Sequence, residues 1–178
     1  MTEKTMEKTA LYDEHVKKGG KLVPFAGYKL PIWFSSLKEE HLIVREKVGV
    51  FDISHMGLLW IEGEKAFDFL QKLTSNDLTP ALKNKMVYAM ILNEQGMILD
   101  DVTVGKLGDG FLVVVNAANK SKIVGWMQNH KEADVVIEDM NTTHSFIAVQ
   151  GPGAVEKVSR IYQTDLNDMS RFAAQYLS

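Results

Sequence analysis

Residues 86–115, MVYAMILNEQGMILDDVTVGKLGDGFLVVV, consist of three apolar segments separated by two short polar connections. The segments are rich in Val, Ile, Leu and aromatic residues, a composition typical of β-strands. The connections Asn93-Glu94-Gln95-Gly96 and Gly108-Asp109-Gly110 have the Asn, Asp and Gly content of hairpin turns. Because a hairpin joins antiparallel strands, this stretch predicts an antiparallel sheet. The predicted strands are residues 86–92, 98–104 and 111–115.

Helices and further strands flank this stretch on both sides. An apolar stripe at helical spacing predicts a helix over residues 64–73, directly before the three strands. The whole pattern predicts an α+β fold with mainly antiparallel sheets, in which residues 53–139 form a ferredoxin-like lobe. The other expected elements are helices at 10–18, 37–47 and 120–128, strands at 50–53, 58–61, 134–138 and 145–149, and a helix after residue 153.

The composition limits the classes of function. The 178 residues carry a formal net charge of −3, which argues against a broadly basic nucleic-acid surface. The chain has no cysteine, so disulfides, thiolate nucleophiles and Cys-ligated zinc are excluded. Its five histidines show no paired metal-ligand spacing, so we expect no metal site. No apolar run is long enough to span a bilayer and residues 1–9 are polar, so we expect no membrane association and a cytoplasmic location.

Two polar positions at the ends of predicted strands are candidates for chemistry. Asp100 and Asp101 are consecutive on a strand, so their carboxylates should face opposite sides of the sheet, and only one can enter a given pocket. Asn116 follows the strand 111–115, and two interpretations stay open for it. Its amide could offer a donor and an acceptor to a ligand, or it could cap the following turn.

Nine short strings, in a fixed order along the chain, resemble the glycine cleavage T-protein family of folate-dependent aminomethyltransferases. Each string is weak alone, but the ordered set extends from residue 11 to residue 152. The strings are LYDEH at 11–15, PFAGY at 24–28, EEHL at 39–42, VRE at 44–46, FDISHMG at 51–57, LNE at 92–94, ILDD at 98–101, VNAAN at 115–119 and QGP at 150–152.

The resemblance implies a specific reaction and site. Such enzymes transfer the methylene group of an aminomethyl-lipoyl carrier protein to tetrahydrofolate and release ammonia, in glycine catabolism. It implies that Asp101 is catalytic, and that Met56, Tyr88, Asp101, Val115 and Asn116 bind tetrahydrofolate, with Val115 contributing backbone groups. Core filling for Met56 and an ordinary strand aromatic for Tyr88 remain alternatives. By the alternation argument, we expect Asp100→Asn to be mild.

The sequence departs from the family pattern in length. Family enzymes continue well beyond 178 residues, so we expect a T-protein-like fold whose C-terminal half is missing. In that fold, residues 1–52 begin a first lobe, 53–139 form the ferredoxin-like lobe, and 140–178 return to the incomplete first lobe. We therefore expect pairing with a second polypeptide or self-association. A non-catalytic folate-binding or interaction module, or a folate domain related to dimethylglycine and sarcosine oxidising enzymes, is the alternative function.

Overall fold

The structure, a computed structural model, describes residues 6–177, which form two compact units. Unit 1 comprises the chain up to His55 together with His144–Asp168, and unit 2 comprises Met56–Thr143 together with the chain from Met169.

The order of helices and strands in the described residues follows the predicted order closely. Short 3-10 turns at Thr79–Lys83, Ala117–Asn119 and Met140–Thr142 lie between elements of unit 2. The helices and strands are, in chain order, α1 (Tyr12–Lys17), β1 (Leu22–Phe25), β2 (Tyr28–Pro31), α2 (Leu37–Glu46), β3 (Gly49–Asp52), β4 (Gly57–Glu62), α3 (Ala66–Leu73), β5 (Val87–Leu92), β6 (Ile98–Leu107), β7 (Gly110–Val115), α4 (Lys120–His130), β8 (Val136–Asp139), β9 (Ile147–Gln150) and α5 (Ala154–Tyr162).

Unit 2 is built on a five-stranded sheet of order β5-β6-β7-β4-β8. Every neighbouring pair in this sheet is antiparallel, so the predicted α+β class with antiparallel sheets is confirmed. The lobe differs from a strict ferredoxin-like unit in one respect. Three strands, rather than two, lie between its two helices. The additional strand reverses the direction of β7, so β4 pairs antiparallel with β7, whereas a split βαβ unit contains a parallel pair.

One face of the sheet packs against α3 and α4 and forms the hydrophobic core. The predicted apolar stripe of α3 is buried in full, and Ile123 and Met127 of α4 are completely buried beside it. Along β6, Val102 and Val104 belong to this core while Asp101 is exposed. Because side chains alternate along a strand, Asp101 therefore projects from the face that α3 and α4 leave uncovered.

Unit 1 has little hydrophobic core of its own. Among the buried apolar residues within 6–177, only Leu30 and Leu166 belong to it. Its buried side chains are mainly polar and meet at Asp52, which accepts hydrogen bonds from Thr9 Oγ1 (2.6 Å) and the Ser54 N–H (3.0 Å).

The same carboxylate of Asp52 lies 2.8 Å from His15 Nε2. Burial acts to raise the pKa of Asp52, but the hydrogen bonds from Ser54, Thr9 and His15 outweigh burial and hold that pKa below its ordinary value. This polar cluster joins the segment before α1, α1 itself and the end of β3.

The segment from Met169 onward lies in unit 2, whereas the predicted domain boundaries assigned residues 140–178 to the first lobe. This segment contacts unit 2, where the Met86 N–H donates to the Phe172 carbonyl (2.7 Å) and the Ala174 N–H donates to the Asn84 carbonyl (2.8 Å). These bonds pair backbone groups of the segment that leads into β5. Tertiary pairing of this kind has no signal in the local sequence pattern.

The connection from β4 to α3 gives a test of the fold. Gly63 has φ +121°, and a Cβ at this position would overlap the backbone oxygen of Asp134. Gly96 has φ +76° with no atom within 4 Å of a Cβ. Since left-handed strain costs roughly 1–3 kcal/mol, we expect Gly96→Ala to lower the free energy of unfolding by about 1 kcal/mol, and Gly63→Ala by more than about 2 kcal/mol. Urea denaturation measures both, and equal losses would contradict the described packing.

Candidate functional site

The register of the sheet places three of the predicted site residues in one row. Met90 is paired with Asp101 across β5 and β6, and Val102 is paired with Val115 across β6 and β7. Continuing that register by one residue sets Asp101 opposite Asn116. The pairing of Gly57 with Val115 likewise sets Met56 beside Asn116. Paired residues project from the same face, so the row Asp101, Asn116 and Met56 lies on the face opposite the core.

Hydrogen bonds hold both oxygens of the Asp101 carboxylate. The Tyr88 hydroxyl donates to Asp101 Oδ2 (3.1 Å), and the Asn116 amide donates to Asp101 Oδ1 (2.8 Å). Desolvation, together with the hydrogen bond to Asp101 and the negative charge of that carboxylate, raises the pKa of Tyr88 above its ordinary value of 10.0. Tyr88 thus stays a neutral donor at physiological pH and keeps the carboxylate in a fixed orientation.

Asp100 occupies a different environment from its neighbour. It is 4% exposed, and it accepts hydrogen bonds from the Asn116 N–H (3.0 Å), the Asn116 amide (3.0 Å) and the Asn119 amide (2.6 Å). The predicted opposite orientation of the two aspartates is confirmed. Asp100 is a buried acceptor for three donors rather than a free strand carboxylate, so we expect Asp100→Asn to destabilise the fold. Its mild effect on turnover stays a prediction.

Asn116 links the two aspartates. Its amide nitrogen lies within hydrogen-bonding distance of Asp100 Oδ1, Asp101 Oδ1 and the Asp101 carbonyl. In the described structure its side chain makes no capping bond to the following 3-10 turn. Of the two sequence interpretations, side-chain capping is therefore wrong. The amide donors face the carboxylates, which leaves Oδ1 as the atom that can accept a hydrogen bond from a ligand.

Met56 and Val115 differ in how far their side chains are buried. Val115 is completely buried in the core, so only its backbone is near Asn116. Gly57 permits this packing, because a Cβ there would overlap a Val115 methyl group. Met56 is half-buried, and its carbonyl accepts a hydrogen bond from the Asn141 amide (2.8 Å).

Asn141 was not singled out by sequence reasoning, although it fixes the start of β4. Besides donating to Met56, its Oδ1 accepts from the Leu58 N–H (2.9 Å) and from Lys120 Nζ (2.9 Å). The sequence gives no signal for this role, because Asn141 lies 83 residues from Leu58 and its neighbours indicate only a turn.

A separate apolar cavity of about 1090 Å³ lies within unit 1. His55 lines it, and the His55 ring lies 5.3 Å from the ring of Phe25 in an edge-on arrangement. Burial lowers the pKa of His55. No chemical role is predicted for His55 from the sequence, and its ring contacts the rings of Phe25 and Tyr28. Within residues 6–177, no cluster of His, Asp and Glu could hold a metal ion, and no helix is long and apolar enough to cross a bilayer.

Comparison with known proteins establishes the family. The family model of the GCVT N-terminal domain matches residues 11–177. The chain belongs to this family. The resemblance to the glycine cleavage T-protein inferred from the nine strings is thereby confirmed.

Curated relatives of this GCVT N-terminal domain carry the name aminomethyltransferase. One from Staphylococcus carnosus (strain TM300) is 43% identical over 169 residues, covering 94% of this chain and 46% of the relative. One from Flavobacterium psychrophilum (strain ATCC 49511 / DSM 21280 / CIP 103535 / JIP02/86) is 39% identical over 171 residues, covering 96% of this chain and 48% of the relative. The chain spans about half the length of these relatives.

A solved structure supports the same fold. The crystal structure of glycine cleavage system aminomethyltransferase T from Bartonella henselae matches with a TM-score of 0.85 and 29% identity, over 94% of this chain and 46% of that one. The T-protein-like fold predicted from the sequence is confirmed for the part of the fold that this GCVT N-terminal domain covers.

The different environments of the two aspartates predict different costs of substitution. In Asp100→Asn, the new amide would place a donor against the donors of Asn116 and Asn119, and an unsatisfied buried polar group costs about 1–3 kcal/mol. Asp101 is exposed, so we expect Asp101→Asn to cost less than about 1 kcal/mol. Urea denaturation of the two variants checks this order of stabilities, and the reverse order would contradict the described environments.

Proposed function

We propose that this chain provides the folate-acceptor part of a tetrahydrofolate-dependent aminomethyltransferase of the glycine cleavage system. The observation that carries the proposal is the Asp101 carboxylate, held by Tyr88 and Asn116 within a GCVT N-terminal domain. The relatives named aminomethyltransferase support the same activity. Tetrahydrofolate is the acceptor substrate, and a lipoylated carrier protein is the donor. The proposed location is the cytoplasm.

The proposed reaction exchanges bonds at one carbon without oxidation or reduction. The methylene carbon of the aminomethyl-lipoyl group loses its bonds to nitrogen and sulfur and gains two bonds to folate nitrogens. The two folate N–H protons leave on ammonia and on the dihydrolipoyl thiol. The protein must therefore hold the folate nitrogens in place and move protons, which is work that a positioned carboxylate performs.

In this proposal Asp101 is the catalytic residue. Its carboxylate accepts a hydrogen bond from the reacting folate nitrogen, takes up the proton as the new bond forms, and returns it to a leaving group. The bonds from Tyr88 and Asn116 support this role because they fix the orientation of the carboxylate before substrate binds. Met56, Asn116 Oδ1 and the backbone at Val115 are proposed to contact the pterin ring.

We predict that Asp101→Asn, in an assembly containing this chain and the rest of the transferase, lowers turnover by about 10²–10⁴-fold. Folate affinity should change much less, because the amide keeps the size of the carboxylate and one acceptor oxygen. Stopped-flow measurement of methylenetetrahydrofolate formation, with equilibrium folate binding in parallel, separates the two effects.

Asp109→Asn is a matched control for that experiment, because Asp109 is an exposed aspartate in the turn between β6 and β7. It should leave turnover unchanged. If Asp101→Asn retains turnover within about threefold of the parent, Asp101 is not the catalytic residue. If the parent assembly binds folate but supports no turnover, the alternative of a non-catalytic folate-binding module replaces the enzyme.

Unit 1 is proposed to be the contact surface for the rest of the transferase. Unit 1 has almost no core and exposes many large apolar side chains, and such surfaces drive association. The curated relatives are about twice as long as this chain, so the proposed occupant is a polypeptide that resembles their second half. The exposed apolar residues include Phe25, Ile32, Leu37, Val50 and Ile147.

We predict that the 178-residue chain alone does not catalyse the transfer. Asp101 is exposed on unit 2, and a carboxylate in water has a severalfold smaller electrostatic effect than one in a closed pocket. The purified chain is given tetrahydrofolate and aminomethylated carrier protein, and its size is measured by sedimentation. We expect no product and a self-associated chain, and a polypeptide resembling the second half should restore turnover.

A matched pair of variants tests the proposed contact surface. Val50 on β3 is 67% exposed in unit 1, and Val136 on β8 is 51% exposed in unit 2. Val50→Asp should weaken association, whereas Val136→Asp should not. Equal association of the two variants would overturn the proposal that unit 1 is the contact surface.

A further inference from the structure

The edge strand β5 carries Tyr88, and the backbone of this strand depends on partners outside the sheet. In the sheet order, β5 has β6 on one side only. Backbone groups alternate in direction along a strand, so the polar groups of Tyr88 and Met90 point away from β6. Unpaired groups at such an edge leave the strand free to shift.

The segment after α3 supplies the missing partners. The Ser75 N–H donates to the Met90 carbonyl (2.9 Å), and the Met90 N–H donates to Ser75 Oγ (3.1 Å). The Asn76 amide donates to the Tyr88 carbonyl (3.0 Å). Thr74 also forms an antiparallel bridge with Ile91. This segment therefore pairs with β5 as a strand would, partly through side-chain groups.

The orientation of the Asn76 side chain is itself fixed on two sides. The Ser75 hydroxyl donates to Asn76 Oδ1 (2.8 Å), which leaves the amide nitrogen directed at Tyr88. Gln71 of α3 donates to the Asn76 carbonyl (2.8 Å) and accepts from the Leu78 N–H (2.8 Å). One glutamine of the preceding helix thus holds the loop at Asn76 and at Leu78.

We propose that Asn76 is a positioning residue for the Asp101 site, acting through the backbone of Tyr88. Asn76 fixes the position of the Tyr88 backbone on β5. The Tyr88 hydroxyl in turn holds Asp101 Oδ2. Asn76 contacts neither Asp101 nor a substrate in this role, so it is not a catalytic residue. The significance for catalysis rests on the proposed function, but the structural linkage from Asn76 to Tyr88 does not.

The titration of the Tyr88 phenol reports this linkage without any folate. Its pKa is raised by desolvation and by Asp101, so a ring that leaves this position loses the shift. The full chain is labelled with ¹³Cζ-tyrosine and titrated by NMR. The chain has five tyrosines, and the resonance absent from Tyr88→Phe identifies Tyr88. We expect the Tyr88 pKa to fall towards 10.0 in Asn76→Ala and in Asn76→Leu, which keeps the approximate size but has no donor.

Two further variants separate positioning from general destabilisation. Ser75→Ala removes the hydroxyl that orients the Asn76 amide and that also accepts from the Met90 N–H, so it should shift the Tyr88 pKa in the same direction. If the Asn76 variants do not fold, an unchanged Tyr88 pKa in Ser75→Ala overturns the positioning role. Asn93→Ala is the control, because Asn93 Oδ1 accepts from Gln95 and Met97 in the turn at the other end of β5. It should leave the Tyr88 pKa unchanged.

The outcomes distinguish this inference from the proposed function. A Tyr88 pKa that is unchanged in folded Asn76→Leu and Ser75→Ala would overturn the positioning role. An equal fall in Asn93→Ala would also overturn it, because any loosening of β5 would then suffice. Failure of the assembled transferase to turn over would remove the proposed function and leave the Tyr88 titration as it was found.

Discussion

Side chains alternate between the two faces of the five-stranded sheet in unit 2, and the candidate site depends on this alternation. On β6 it gives adjacent aspartates opposite environments. Asp100 enters the interior and accepts three hydrogen bonds, and Asp101 projects from the opposite face. A shift of β6 by one residue would exchange the two carboxylates, and burial of the core residues Val102 and Val104 prevents that shift.

The polar groups of the candidate site come from segments that are distant in sequence. Tyr88 is on β5, Asn116 follows β7, and Asn141 fixes the backbone at Met56 before β4. The Asn116 amide binds Asp100 as well as Asp101, and the Tyr88 hydroxyl donates to Asp101. The orientation of Asp101 is therefore set by the fold itself, as its proposed catalytic role requires. Pre-organised groups do not have to reorient during the reaction.

The two units differ in what stabilises them. Unit 2 has a continuous apolar core between its sheet and two helices. Unit 1 is organised around the buried Asp52 carboxylate, whose bonds to Thr9, His15 and Ser54 join distant segments. Hydrogen bonds of this kind fix the positions of the bonded groups but contribute little net stability, whereas apolar burial supplies the main favourable free energy of folding. Unit 1 therefore exposes many apolar side chains and has almost no core of its own.

The sequence alone was sufficient for the order of the elements from α2 onward, the antiparallel class and the opposite orientation of Asp100 and Asp101, but the hairpin of β1 and β2 was not predicted. These features depend on local patterns, namely hairpin turns, apolar periodicity and strand alternation, which act between residues close in the chain. The family resemblance depended on ordered strings such as ILDD at 98–101. It pointed to Tyr88 and Asn116, which the structure joins to Asp101 by hydrogen bonds.

Tertiary structure decided the remaining features. The burial of Asp100, the anchoring of Met56 by Asn141 and the support of Tyr88 by Asn76 all join residues at least 12 positions apart. The return of the residues after Met169 to unit 2 likewise depends on contacts between residues distant in sequence. A hydrogen bond between such residues forms only where the fold brings a donor to an acceptor. Asn and Ser in turn-forming segments have many possible partners, so their residue types do not reveal which carbonyl or carboxylate they bind.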